Sequence, residues 1–199
     1  VRIGHGNFMT EQYRNGHRTG GHHRARRRFL QTLVGTSVTL AAAPLWASVH
    51  PASERQLAFT NLHTGESLQA TIWADGQYVD EELVAVNRVL RDHRSGDVYP
   101  MDRQLLDQLY LLQHAVGVKG AYHVISGYRS PQSNAKLHSK SSGVAKKSLH
   151  MQGKAIDIRL PGCDLKRLRQ AALDLKAGGV GYYAKSNFIH LDTGRVRRW

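Results

Sequence analysis

The sequence contains a single cysteine, Cys163, so no intramolecular disulfide can form and no cysteine-built zinc site is available. The lone thiol argues neither for an oxidising compartment nor against one. Any metal must therefore be held by histidine and carboxylate side chains. Acidic residues are also scarce, 15 against 28 lysines and arginines, for a net charge of +13. The excess is uneven. Residues 1–47 hold seven Arg and one Glu, and the remainder carries +7. No basic stretch of that remainder is interleaved with aromatics as a nucleic-acid platform requires, so nucleic acid is not an expected partner. A basic surface of this kind is equally suited to anionic lipid or an anionic wall polymer. No internal repeat or low-complexity segment is present. The apolar fraction of 41% is ordinary for a globular domain, which argues against a disordered chain.

A bilayer span of ~20 apolar residues is also missing. The nearest approach, Phe29 to Leu45, is charge-free but diluted by Gly35, Thr36 and Ser37 and interrupted by Pro44. It follows a basic start and ends on Leu45-Trp46-Ala47, where a small residue suits signal peptidase. Arg26-Arg27-Arg28-Phe29-Leu30-Gln31 resembles the twin-arginine export signal, departing from it only in Gln31 where Lys is usual. No cysteine follows, so no lipid anchor is expected. Residues 1–47 are read as an N-terminal extension plus signal peptide, with Met9 a plausible start, and residues 48–199 as the working domain. The expected address is the periplasm, with no stable membrane anchor after cleavage.

Within that domain, Gln56 to Leu62 and Ser67 to Trp73 read as a hairpin closed by His63-Thr64-Gly65-Glu66. Leu83, Val86 and Leu90 fall at helical spacing in residues 80–94, stopped by Ser95-Gly96. Asp102 is placed to cap a second helix with Leu105, Leu109, Leu112 and Val116 on one face. A third helix is expected over 164–176. Short strands are expected at Tyr122–Ile125, Lys154–Leu160, Val180–Tyr183 and Asn187–Asp192. Residues 132–147 are polar and patternless. The sum predicts an α+β domain, a small antiparallel sheet flanked by helices.

Ser148-Leu149-His150-Met151-Gln152-Gly153-Lys154-Ala155-Ile156-Asp157 places a histidine before a strand, a turn glycine, and a carboxylate inside the strand. A carboxylate buried in an apolar strand needs a partner. Phe188, His190 and Asp192 alternate and so share one strand face. If the two strands are neighbours, His150, Asp157 and His190 converge. Two histidines and one carboxylate leave a fourth position open, the arrangement of a catalytic rather than a structural zinc site. Such a metal polarises a carbonyl and acidifies water to a pKa of ~7, the two requirements of amide hydrolysis.

Ser148-x-His150-x-x-Gly153-x-Ala155-x-Asp157 resembles the first metal motif of the zinc D-Ala-D-Ala carboxypeptidase family, peptidase family M15, which includes phage L-alanyl-D-glutamate endopeptidases and shares its fold with the hedgehog signalling domain. Ser126-Gly127-Tyr128-Arg129-Ser130 resembles the segment that precedes that motif. Gly178-Gly179-Val180-Gly181-Tyr182-Tyr183 through Phe188-x-His190-x-Asp192-Thr193-Gly194 resembles its closing motif. Asn61-Leu62-His63-Thr64-Gly65-Glu66 and Gly143-Val144-Ala145-Lys146-Lys147-Ser148 narrow the likeness to its periplasmic murein endopeptidases. The resemblance covers nearly all of residues 54–199. It implies Zn2+ on His150, Asp157 and His190, and Arg129 in contact with substrate near the scissile group. It also implies cleavage of peptide cross-links in peptidoglycan, with trimming of terminal D-Ala or a non-catalytic zinc module as alternatives.

Many members carry Glu or Asp three residues before the last histidine ligand as general base, or a second histidine two residues before it. Here those positions are Asn187 and Phe188. Asp192 is the candidate base, with orientation of His190 or fixing of a turn before Gly194 as its other roles, and His123 is next in line.

Overall fold

The computed structural model describes residues 54–141 and 143–199. The expected export signal and the Met9 start lie outside these residues.

β1 (Glu54–Asn61) and β2 (Ser67–Ala74) form the expected antiparallel hairpin, pairing Leu57 with Ala70 and Phe59 with Leu68. Asn61 makes the turn. Its Oδ1 accepts from the backbone N–H of His63 and Thr64, and its Nδ2 donates to the Val89 carbonyl at 2.9 Å. β3 (Gln77–Tyr78) adds to the outer edge of β2.

α1 (Asp80–Val89) begins on three acids, which suits the positive end of the helix dipole, and buries Leu83, Val86 and Val89. It ends earlier than the expected residue 94. The cause is Asp92, fully buried, whose carboxylate accepts from the Arg94 N–H and from both N–H and Oγ of Ser130. Those bonds offer the backbone an alternative to another helical turn. Burial acts to raise the Asp92 carboxyl, but these hydrogen bonds hold it well below the usual range.

α2 (Arg103–Val116) matches the expectation at both ends. Asp102 Oδ1 accepts from Gln104 N at 2.9 Å, and Gly117 takes a left-handed φ of 63°. The polar run after Ser130 holds a helix that no apolar stripe announced, α3 (Pro131–Lys140). Its signal was the local pair Ser130-Pro131, an N-cap and an N1 proline, with Ser130 Oγ accepting from Ser133 N.

β4 (Tyr122–Ser126), β5 (Ala155–Arg159), β6 (Gly179–Tyr183), β7 (Phe188–Asp192) and β8 (Arg197–Arg198) complete one eight-stranded sheet in the order β3-β2-β1-β4-β5-β7-β6-β8. The expected small antiparallel sheet is thus corrected to a large mixed one, because β1 pairs with β4, and β6 with β8, in parallel. Parallel pairing is decided by which apolar faces a crossover brings together, and two-residue strands carry no alternation to read. Ile156, Ile158, Ile189, Leu191 and Val180 bury into one core with α2 and α4 (Leu165–Asp174). Their neighbours along each strand face the other way. No helix among the described residues is long and apolar enough to cross a membrane.

Candidate metal centre

β5 and β7 are neighbours, and their register sets Asp157 opposite His190. On the far side of β5, a register shift between Val124 and Ser126 sets Ser126 opposite Asp157. This bulge turns Ser126 away from the helix-covered face, to which Val124 belongs, and onto the Asp157 face. His150 arrives from a one-turn 3-10 helix, Leu149–Gln152, capped by Ser148. Gly153 ends that turn at a φ of 65°, and a Cβ there would collide with the Pro100 carbonyl. No other residue fits the turn that aims His150 back at the sheet.

One ligand atom from each of His150, Asp157 and His190 lies within 4.8 Å of the others, and all three residues are buried. His150 Nε2 is 3.2 Å from His190 Nδ1 and 3.4 Å from Asp157 Oδ2, and His190 Nδ1 is 2.8 Å from Asp157 Oδ1. The outward-facing ring nitrogens are both committed. His150 Nδ1 donates to the Gly127 carbonyl at 2.7 Å, and His190 Nε2 donates to Asp192 Oδ2 at 3.0 Å. A carbonyl and a carboxylate can only accept, so each ring carries its hydrogen on the outer nitrogen. The inner nitrogens, Nε2 of His150 and Nδ1 of His190, face Asp157: without a cation Nδ1 of His190 donates to Asp157 Oδ1, and a bound cation would take that hydrogen's place and draw on both nitrogen lone pairs. This donor set fits a cation held by two imidazoles and a carboxylate.

Electrostatics point the same way. Burial acts to raise the Asp157 carboxyl, but His150 and His190 outweigh it and hold it well below the carboxylate range. Burial acts to lower the His190 pKa, but hydrogen bonds to Asp157 and Asp192 raise it overall. Without a cation, a proton on His190 balances two flanking carboxylates.

Asp192 is fully buried behind His190. It accepts from Arg197 Nη2 at 2.6 Å and Nη1 at 3.0 Å, and from the backbone N–H of Gly179 and Gly194. Burial acts to raise its carboxyl, and these partners with His190 hold it low. Arg129 stands at the Asp157 end of the site. Its Nη2 lies 3.8 Å from Asp157 Oδ2, its bonds to Asn134 and Ser126 are both 3.4 Å, and its buried Nε has no partner. Burial lowers its pKa, with the Asp157 charge opposing. A guanidinium this lightly used has hydrogen-bonding capacity left for a ligand.

These groups line a cleft of about 460 Å³, walled further by Lys147, Tyr183, Phe188 and Trp199. Asn187 sits in the turn before β7 at a φ of 52°, a conformation asparagine tolerates. His123, on β4, pairs with Arg159 of β5 and is not among the residues lining the cleft.

The sequence matches the family described as peptidoglycan L,D-endopeptidase MepK over residues 49–199. It is 44% identical over 177 residues to the peptidoglycan L,D-endopeptidase MepK of Escherichia coli K12, covering 88% of this chain and 97% of that one. It is 39% identical over 167 residues to a Haemophilus influenzae protein named “Probable peptidoglycan L,D-endopeptidase MepK”, covering 83% and 90%.

The chain belongs to the MepK family of M15 peptidases.

For a MepK-family chain, sequence reasoning found His150, Asp157, His190, Arg129 and Asp192, and the structure brings all five to one cleft. It missed the Gly127 carbonyl, Arg197 and Trp199. Gly127 acts through its backbone, and Arg197 and Trp199 lie beyond the recognised motif, on and just after a strand too short to show a pattern.

Proposed function

We propose that this protein is a zinc endopeptidase that hydrolyses peptide cross-links in peptidoglycan, on a D-Ala-D-Ala-peptidase-type domain spanning residues 48–199. The observation that carries the reading is the convergence of His150 Nε2, His190 Nδ1 and an Asp157 oxygen, with both outer imidazole nitrogens anchored. Zinc held by these three residues would supply a Lewis acid that polarises the scissile carbonyl and acidifies water.

The protein's own groups do the rest. The Gly127 carbonyl fixes the ring of His150, and Asp192 fixes the ring of His190. Arg129 offers a guanidinium to a substrate carboxylate or carbonyl, a task its planar fork suits. The carboxylate of Asp192 already serves His190, Arg197 and two backbone amides. We therefore assign it to positioning His190 rather than to carrying a proton. The basic surface favours the anionic polymer that holds the substrate.

Purified protein incubated with digested peptidoglycan should release uncross-linked stem peptides, and a chelator should stop the release until zinc is restored. Release that continues undiminished in chelator would defeat the metal reading. Products shortened only by a terminal D-Ala would favour the carboxypeptidase alternative, and no product at all the non-catalytic one.

Peptidoglycan lies outside the cytoplasmic membrane, and Arg26-Arg27 is the proposed address for getting there. Replacing both by Lys should leave the protein in the cytoplasmic fraction. Unchanged appearance of the double variant in the periplasmic fraction would remove the twin-arginine assignment.

A further inference from the structure

Four strands contribute one residue each to a single row across the sheet. Ser126 pairs with Asp157, Asp157 with His190, and His190 with Gly181. At the Ser126 end stands Arg129. At the other end the position of a side chain is empty, because residue 181 is glycine, and the indole of Trp199 fills it. A Cβ on Gly181 would lie 2.7 Å from the Trp199 ring. Trp199 is held there by main-chain bonds to β6, its N–H to the Val180 carbonyl at 3.2 Å and its carbonyl from Tyr182 N at 3.1 Å. Its ring centroid is 5.2 Å from that of His190, and the Arg197 guanidinium lies 4.8 Å from its ring.

The Trp199 N–H is already donated to Tyr183 Oη at 3.0 Å. The residue is nevertheless 48% exposed and lines the cleft. A tryptophan with its only polar group used can offer a ligand ring surface alone.

We propose that Trp199 is a specificity-determining residue: it receives the aliphatic side chain of the substrate residue next to the scissile bond, while Arg129 at the opposite end of the row takes a carboxylate. The inference rests on the endopeptidase reading above. It commits to a peptide whose residue at this position has a methylene chain, which the site prefers over a short side chain. Gly181 is part of the device, since any larger residue would push the indole out of the row.

The test uses cross-linked stem peptides and synthetic analogues in which the long-chain residue at this position is replaced by alanine. The wild-type protein should prefer the longer side chain by about tenfold or more in kcat/KM, the usual worth of apolar pocket contacts. Trp199→Ala should abolish that preference mainly through KM, with zinc content unchanged, and Trp199→Phe should retain part of it. Calorimetric binding of the same peptides to metal-free protein should lose the preference in parallel. That measurement decides the point even if the wild type cleaves nothing, a result that would defeat the endopeptidase reading instead. Wild-type discrimination by Trp199→Ala would overturn the inference. So would loss of zinc in both variants, which would make Trp199 a structural support for His190.

Discussion

His150→Ala and His190→Ala should each drop zinc content from about one ion per chain to near zero, and cleavage of peptidoglycan should fall to background with it. Each substitution removes one of the two ring nitrogens that converge with Asp157. The two variants should differ in what they leave behind. His150→Ala frees the Gly127 carbonyl, a neutral acceptor. His190→Ala leaves Asp157 and Asp192 facing a gap with no imidazole between them. Two buried carboxylates that lose their shared partner are the more costly outcome, so His190→Ala should also be the less stable fold. Elemental analysis with a thermal melt checks both points. Full zinc occupancy in either variant would remove that histidine from the ligand set.

Asp192→Asn should weaken zinc binding by ~10–100-fold, the usual effect of losing the partner that orients a metal-bound histidine. Cleavage should fall with zinc and return when zinc is added to saturation. The geometry supplies the reason: the carboxylate sits behind the ring, in line with Nε2, and not on the Nδ1 side where Asp157 stands. A variant that binds zinc normally yet turns over ~10²-fold more slowly would instead identify Asp192 as the proton carrier. Zinc titration beside steady-state kinetics separates these outcomes.

The site was more legible than the sheet. His150, Gly153 and Asp157 lie within one short stretch and follow from a turn glycine and an alternating strand. Asp157 and His190 meet because two alternating strands pair, a step that needed only adjacency. Asp102 and Gly117 marked the ends of α2 because capping is local chemistry. The parallel joining of β1 to β4 was not legible, since it depends on how α1 and α2 fill the crossover between them. The early end of α1 depends on Asp92 reaching Ser130, 38 residues away, and no window along the chain contains that bond. Arg197 and Trp199 escaped notice because their roles exist only once β8 lies beside β6.

His150 and His190 are 40 residues apart, and Asp157 and His190 are 33 apart. Their ligand atoms come together only when β5 and β7 are paired and the 149–152 turn is seated. The unfolded chain therefore holds no preassembled site, and a zinc ion held as proposed would bind the folded state almost alone. By mass action such an ion would become a reservoir of fold stability set by its own concentration: about 2.7 kcal/mol when free zinc is a hundred times its dissociation constant, and about 4.1 at a thousand times. On the zinc reading, a protein so built would be most robust where zinc is plentiful and would loosen as the metal is withdrawn, so that scarcity of the ion would remove the catalyst and weaken its scaffold together.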